Sequence, residues 1–378
     1  EFVPEWGATA TGARTFLIAY NVNILATHNQ AHRIALNLRE QGRNDKEPGR
    51  LKEVKAMGWF VEEYGMAQIT ANLTDYNVTP PHVFFEEALK DAKELKIAVA
   101  GSELVGLIPL EAMLMAADYY IKKDNLFIID EATKIKLVID RLGLNSISPF
   151  NPKEKIIEYI IAEEPKEPLA SLTTRKFIEA VSARTSAPGG GSASAAIAAI
   201  GAGLACMVSQ LTYGVRKFDH LEQEMRNAIP PLYKQVQNLI PMIDADTNAF
   251  NDYMDAIRLP KDTDEQKQAR EQAMQEGLKK AINVPLATMK YGNAAWDALI
   301  GTAKYGNINS KSDVEVGARA LEVGIWGAYK NVLINLPGIN DEKYKNTILE
   351  EAEAIVKRAD KMMKEALAIL DEREKAGK

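Results

Sequence analysis

The 378-residue sequence has a single cysteine, Cys206, so neither an intrachain disulfide framework nor a cysteine-built zinc cage is available to it. That scarcity suits a reducing, cytoplasmic compartment. Glycine and proline, 24 and 16 residues, are too few for a low-complexity or collagen-like segment. Basic residues do not predominate either. With 46 Lys and Arg against 52 Asp and Glu, the net charge is −6. This argues against non-specific binding to nucleic acid or anionic membrane while leaving room for a local basic pocket. What is present is a globular mixture, 46% apolar and 26% charged. At about 150 residues per domain the length allows two or three domains.

The opening Glu1-Phe2-Val3-Pro4-Glu5-Trp6 is neither a signal peptide nor an initiator start, and it reads as the beginning of a fragment. Only residues 185–215, free of charged side chains, invite a membrane test. Their interior is Ala and Gly rather than Leu, Ile and Phe with basic flanks. That composition predicts a helix buried against other helices, not a lipid span.

The first third mixes strand and helix signals. Residues 16–25, 54–62, 68–75 and 97–105 read as strands. A capping box at Thr27 and Gln30 opens a helix predicted to reach about residue 43. A second helix follows Thr79-Pro80-Pro81 and runs to about residue 96. The order β-α-β-β-α-β predicts a ferredoxin-like α+β unit, with helices at 110–123 and 131–142 appended. Prolines 149, 152, 165 and 168 loosen the pattern, so residues 1–145 are expected as one domain and 146–172 as a linker. Residues 173–378 carry only helical patterns and predict an all-α bundle. The helix over 219–258 is expected to break near Pro230-Pro231. The apolar stripe Ile348, Ala352, Ile355, Ala359 and Met362 reads as a core-facing helix side rather than a cofactor box.

Few constellations carry chemistry. His28 and His32 stand at i, i+4, the geometry of a two-His metal site, but no matching acidic ligand or cysteine accompanies them. His82 suits capping or packing. No G-x-S-x-G nucleophile turn occurs. The run Pro188-Gly189-Gly190-Gly191-Ser192 precedes a long helix, so free N–H groups at its positive end could meet an anionic or polar ligand edge. It lacks the Lys-Ser/Thr of a Walker loop and follows no strand, and close packing against a neighbour explains it equally well. Asp244, Asn248 and Asp252 share one helix face, and Asp246 points roughly 160° away, so Asp244 and Asp246 are not expected to serve one site. Asp244 reads either as a partly buried, tuned carboxylate or as part of a solvated stripe. In the polar cluster from Asn307 to Asp313, Ser312 or Asp313 makes a good N-cap.

Taken together, the chain resembles the formimidoyltransferase-cyclodeaminase family. Trp6-Gly7-Ala8-Thr9-Ala10-Thr11-Gly12-Ala13-Arg14, the run from Gln30 to Arg43, and Gly101-Ser102-Glu103-Leu104-Val105-Gly106-Leu107 look like the C-terminal subdomain of the transferase. Ser186-Ala187-Pro188-Gly189-Gly190-Gly191-Ser192, Ile243-Asp244-Ala245-Asp246, Arg258-Leu259-Pro260-Lys261 and the run from Tyr329 to Leu336 look like the cyclodeaminase domain.

The resemblance implies two folate reactions of histidine degradation. One is formimino transfer from N-formimino-L-glutamate to tetrahydrofolate. The other is closure of 5-formiminotetrahydrofolate to 5,10-methenyltetrahydrofolate with release of ammonia. It implies Asp244 as the catalytic acid/base; beside it we expect Asp313 as a catalytic polar support, Asn309 as a polar support that binds folate, and Gly189, Gly190, Gly191 and Ser192 as candidate folate contacts. The family's folate segment at the subdomain junction falls on Phe2, Val3, Pro4 and Glu5. The transferase's catalytic histidine belongs to an N-terminal subdomain absent from this sequence. Cyclodeaminase chemistry is therefore expected, and transferase chemistry is not. The resemblance further implies tetrahydrofolate, with or without a polyglutamate tail, as substrate and carrier, no metal, and a homo-oligomer with separate interfaces for each domain. The alternatives are a methenyltetrahydrofolate cyclohydrolase or a non-catalytic assembly module.

Overall fold

The computed structural model describes residues 4, 5, 7, 11–162 and 167–376. The chain divides into two compact units, residues 1–164 and 165–378.

In the first unit, four strands form one antiparallel sheet: β1 (Ile18–Leu25), β2 (Val54–Val61), β3 (Met66–Leu73) and β4 (Ala98–Val105), in the order β2-β3-β1-β4. The period of two sorts the side chains. Ile18, Tyr20, Val22 and Ile24 of β1 are all essentially inaccessible, and they stand in register with buried Leu73, Ala71 and Ile69 of β3. Helix α1 (His28–Leu38) carries the expected capping box, in which Gln30 N–H donates to Thr27 Oγ1 and Thr27 N–H to Gln30 Oε1. It buries Ala31, Ile34, Ala35 and Leu38 along one face. The helix stops short of residue 43 because the chain turns into pairing instead. Glu40 N–H donates to Val54 O, and Leu51 N–H to Leu38 O.

Helix α2 (Pro81–Glu94) packs Phe84, Phe85, Ala88 and Ala92 inward, and α3 (Leu110–Lys123) and α4 (Glu131–Leu142) follow. The short helices α5 (Pro152–Lys155) and α6 (Ile157–Ile161) lie inside the residues expected as linker. They belong to the first unit: Ile156 is fully buried, Phe150 nearly so, and Ile156 bridges to Ile108. Burying each such side chain stabilises by about 1.5–3 kcal/mol, enough to hold this stretch on the unit.

The second unit is helical throughout: α7 (Thr174–Val181), α8 (Gly190–Thr212), α9 (Glu222–Leu239), α10 (Met242–Ile257), α11 (Asp264–Tyr305), α12 (Lys311–Asn335) and α13 (Glu342–Ala376). Helix α8 is long and apolar enough to cross a membrane by length and composition, with mean hydropathy 1.7. Here it packs on α9, α10, α11 and, most extensively, α12. The approach to α12 is close at Gly201, where a Cβ would lie 2.5 Å from Leu321 N. Pro230 and Pro231 sit inside α9 rather than breaking it. Their neighbours Ile229 and Leu232 are buried, so tertiary packing offsets the lost helical hydrogen bonds. The break falls instead at Ile240-Pro241, between α9 and α10.

Candidate functional site

The start of α8 has no cap of its own, because Gly189 stands at the N-cap position and contributes no side chain. The cap comes from another helix. Asp246 of α10 accepts from Ser192 N–H at 2.9 Å and from Ser192 Oγ at 3.2 Å, both through Oδ2. Ser192 Oγ also lies 3.1 Å from Thr247 Oγ1. The contact is tight enough that a Cβ on Gly191 would collide with the Asp246 carboxylate, so glycine is required there. Asn331 of α12 completes the surroundings, its Nδ2 standing 3.5 Å from where a Gly190 Cβ would be. Burial raises the Asp246 pKa above the usual carboxylate range, and the two Ser192 hydrogen bonds oppose that only in part. A half-buried carboxyl with a raised pKa can hold and release a proton.

Asp244 has a different setting. It is 4% exposed, and both its oxygens are occupied: Leu169 N–H donates to Oδ1 at 2.8 Å and Ala170 N–H to Oδ2 at 2.9 Å. Its two face-mates do not join it. Asn248 and Asp252 are exposed, and Asp252 pairs with Lys280 at 2.9 Å. The two aspartates have separate hydrogen-bond partners. The residue at the glycine-rich start of α8, however, is Asp246 and not Asp244.

Asp313 and Asn309 are not brought to either aspartate within the chain. Helices α8 and α12 run antiparallel, with Gly190 beside Asn331 and Gly201 beside Gly317 and Leu321. The start of α12 therefore lies at the far end of α8, where Asn307 N–H donates to Thr212 Oγ1 at 2.9 Å. At 1.5 Å per residue that end is roughly 30 Å from Ser192. Asn309 is exposed and its N–H donates to Asn307 Oδ1, which is loop closure. Of the residues expected to contact folate near the start of the chain, Pro4 and Glu5 lie in an exposed turn, and Phe2 and Val3 lie outside the described residues.

An apolar cavity of about 620 Å³ is lined by Ala193, the chain neighbour of Ser192, and by Ile243, one turn before Asp246, while Asp246 itself does not line it. Leu169 and Leu172 line it before α7, Phe177 and Ile178 on α7, Ile197 on α8 and Ile243 on α10. Ile243 and Asp246 stand at i, i+3 on α10 and share a face. The volume is that of a small-molecule site.

His28 and His32 stack at 6.0 Å, and among the described residues no group of three or more His, Cys, Asp or Glu could hold a metal ion. His82 is 6% exposed, stacks on Tyr119 at 4.7 Å and leaves its Nδ1 unpartnered, so it is a packing residue rather than a cap. Burial pushes its pKa down to about 4.

Sequence reasoning missed the Asp246, Ser192 and Asn331 grouping. The available signal was that all three lie in runs that carry the family resemblance.

Comparison with known proteins fits this division of the chain. The family model described as "Formiminotransferase domain" matches residues 19–162, and that described as "Formiminotransferase-cyclodeaminase" matches residues 173–354. A formimidoyltransferase-cyclodeaminase of Dictyostelium discoideum is 55% identical over 99% of this chain, which spans 69% of that protein. A methenyltetrahydrofolate cyclohydrolase of Methylorubrum extorquens is 34% identical over 50% of this chain and 90% of its own length. A solved formiminotetrahydrofolate cyclodeaminase of Thermotoga maritima superposes with TM-score 0.48 at 25% identity, over 53% of this chain and 96% of its own.

Proposed function

The chain belongs to the formimidoyltransferase-cyclodeaminase family, and from that premise we propose that its helical unit carries the cyclodeaminase chemistry with Asp246 as the proton carrier. It is a folate-dependent enzyme of one-carbon transfer in histidine degradation. The reaction closes 5-formiminotetrahydrofolate to 5,10-methenyltetrahydrofolate. N10 attacks the carbon of the protonated formimino group, a tetrahedral aminal forms, and its amine, protonated by the proton that N10 gives up, leaves as ammonia. A carboxyl beside that carbon takes the proton from N10 and delivers it to the departing nitrogen, then faces the cationic methenyl bridge as its counter-charge.

One observation carries the assignment: the Asp246 carboxyl, its pKa raised by burial, is oriented by Ser192 at the glycine-rich start of α8, one residue before the cavity-lining Ala193. Asp244 is the poorer candidate because two main-chain N–H groups already occupy its oxygens. The test is to give the chain 5-formiminotetrahydrofolate and follow ammonia release together with methenyl absorbance. Absence of both sinks the reading.

The identity with a cyclohydrolase supports a second activity on the same site, hydrolysis of the methenyl bridge. Cyclisation faster than hydrolysis of added methenyltetrahydrofolate favours the cyclodeaminase.

For the first unit we assign the C-terminal half of a glutamate formimidoyltransferase with a ferredoxin-like arrangement, with a folate segment over Phe2, Val3, Pro4 and Glu5. The antiparallel order β2-β3-β1-β4 and the match over residues 19–162 support that reading. Self-association is supported by the exposed apolar residues Ile200, Leu211, Trp326 and Ile334 of the second unit. The composition supports a cytoplasmic location.

A further inference from the structure

The segment before α8 is held in an unusual way. Helix α7 buries none of its residues, and Ile178 remains 59% exposed although it lines the cavity. What ties this segment down is the strap ahead of it. Consecutive N–H groups of Leu169 and Ala170 each donate to one oxygen of Asp244, at 2.8 and 2.9 Å. Charge-assisted bonds to a carboxylate that is 4% exposed are the strong kind.

The strap and α7 form one wall of the cavity through Leu169, Leu172, Phe177 and Ile178, facing Ile197 of α8 and Ile243 of α10. The latch and the proton carrier are two positions apart on α10, and Ala193, next to the Asp246 partner Ser192, also lines the cavity. Moving the strap therefore moves a wall relative to Asp246. An apolar slot of this size complements a flat aromatic ring system, and the charged tail of a folate does not belong in it.

We propose that Asp244 is a positioning residue that pins the strap of residues 167–173, so that α7 forms a movable wall holding the flat rings of the folate beside Asp246. The proposal rests on the cyclodeaminase reading for its ligand, but the latch itself is testable without turnover.

The experiment compares Asp244→Ala, Asp244→Asn and Phe177→Ala in the full 378-residue chain. It measures kcat and KM with 5-formiminotetrahydrofolate. It also measures tryptic cleavage after Arg175, Lys176 and Arg184, with and without the unreactive 5-formyltetrahydrofolate. Asp244→Ala should raise KM roughly tenfold or more while kcat stays within about threefold, because binding geometry is lost and the proton carrier is not. Cleavage in and after α7 should speed up by roughly tenfold in Asp244→Ala, with 5-formyltetrahydrofolate slowing it in the unsubstituted chain. Asp244→Asn, which keeps one acceptor oxygen, should fall between. Phe177→Ala should raise KM without faster cleavage after Arg184.

A fall in kcat by orders of magnitude at unchanged KM in Asp244→Asn overturns the proposal and makes Asp244 a group that touches the reacting atoms. Unchanged cleavage in both Asp244 variants overturns it as well, because the strap is then held by something else. An inactive but normally folded unsubstituted chain sinks the cyclodeaminase reading instead, and cleavage alone then judges the latch.

Discussion

In the first unit Tyr20, Ile34, Leu73 and Phe84 fill the space between a sheet and its helices with large side chains. In the second, α8 meets its neighbours through Ala195, Ala198, Gly201, Ala202 and Ala205, and α12 answers with Gly317, Ala318 and Gly324. The first interior is built by volume and the second, at this seam, by closeness of backbones. Removing atoms should therefore hurt the first unit, and adding atoms should hurt the second. Their buried titratable groups differ too. His82 is kept neutral by burial in the first unit, and Asp246 is kept prone to protonation by burial in the second.

The largest effect expected is on chemistry, and it should fall on the second unit alone. Asp246→Asn should lower methenyl formation by about 10²–10⁴-fold, read from its near-ultraviolet absorbance. His82→Asn should leave that rate unchanged. Asp246→Asn should also raise the melting temperature of the bundle at pH 7, since it removes a carboxylate whose charged form is disfavoured in the fold.

Next in size is the cost of removing bulk. Phe84→Ala, at a fully buried ring, should destabilise the first unit by about 3–5 kcal/mol in denaturant unfolding. Adding bulk makes the reciprocal test. Gly201→Ala forces a methyl against the Leu321 backbone and should cost the second unit about 1–3 kcal/mol, measured in the same way. A neutral Gly201→Ala would break the contrast between the two cores.

Acidification should separate the units by sign. His82 has a folded pKa of about 4 against 6.5 for the free side chain. The unfolded chain thus takes up the proton first, and stability present above pH 6.5 is lost progressively as the pH falls toward 4. The loss is about 3 kcal/mol at most, taking 1.36 kcal/mol per pKa unit. It should show as a pH-dependent melting temperature that flattens in His82→Asn. Asp246 has its folded pKa raised. Its burial penalty is felt above that pKa and relieved as the pH falls through it, so this contribution in the second unit runs the opposite way. The smallest effect belongs to a single cap. Thr27→Ala removes half of the α1 capping box and should cost about 1 kcal/mol in the first unit and nothing in the second.

How far the sequence could be read differs between the units in the same way as their cores. The β-α-β-β-α-β order was legible because strand and helix periods are local, and Thr27 and Gln30 announce α1 within four residues. The end of α1 was not, because Glu40 leaves the helix to bond Val54, fourteen residues on. Pro230-Pro231 looked like a break by the local rule and is not one, since buried Ile229 and Leu232 hold α9 together. In the site, the angle between Asp244 and Asp246 followed from helix geometry alone. Their partners did not, because Leu169 and Ser192 lie 75 and 54 residues away.

By itself the sequence determined the element order, the all-helical character of residues after 173, and a family resemblance that picks out Gly189, Gly190, Gly191, Ser192 and the two aspartates. Those features depend on residue type and short spacing, which the chain carries wherever it folds. Only the tertiary structure decided that Asp246 caps α8 while Asp244 holds the strap, and that Asp313 and Asn309 lie at the other end of the bundle. A carboxylate takes its role from the donors that reach it and the burial they impose. Here those donors arrive from a turn ahead of α7 and from the start of α8, segments far away in sequence that no local pattern places beside α10.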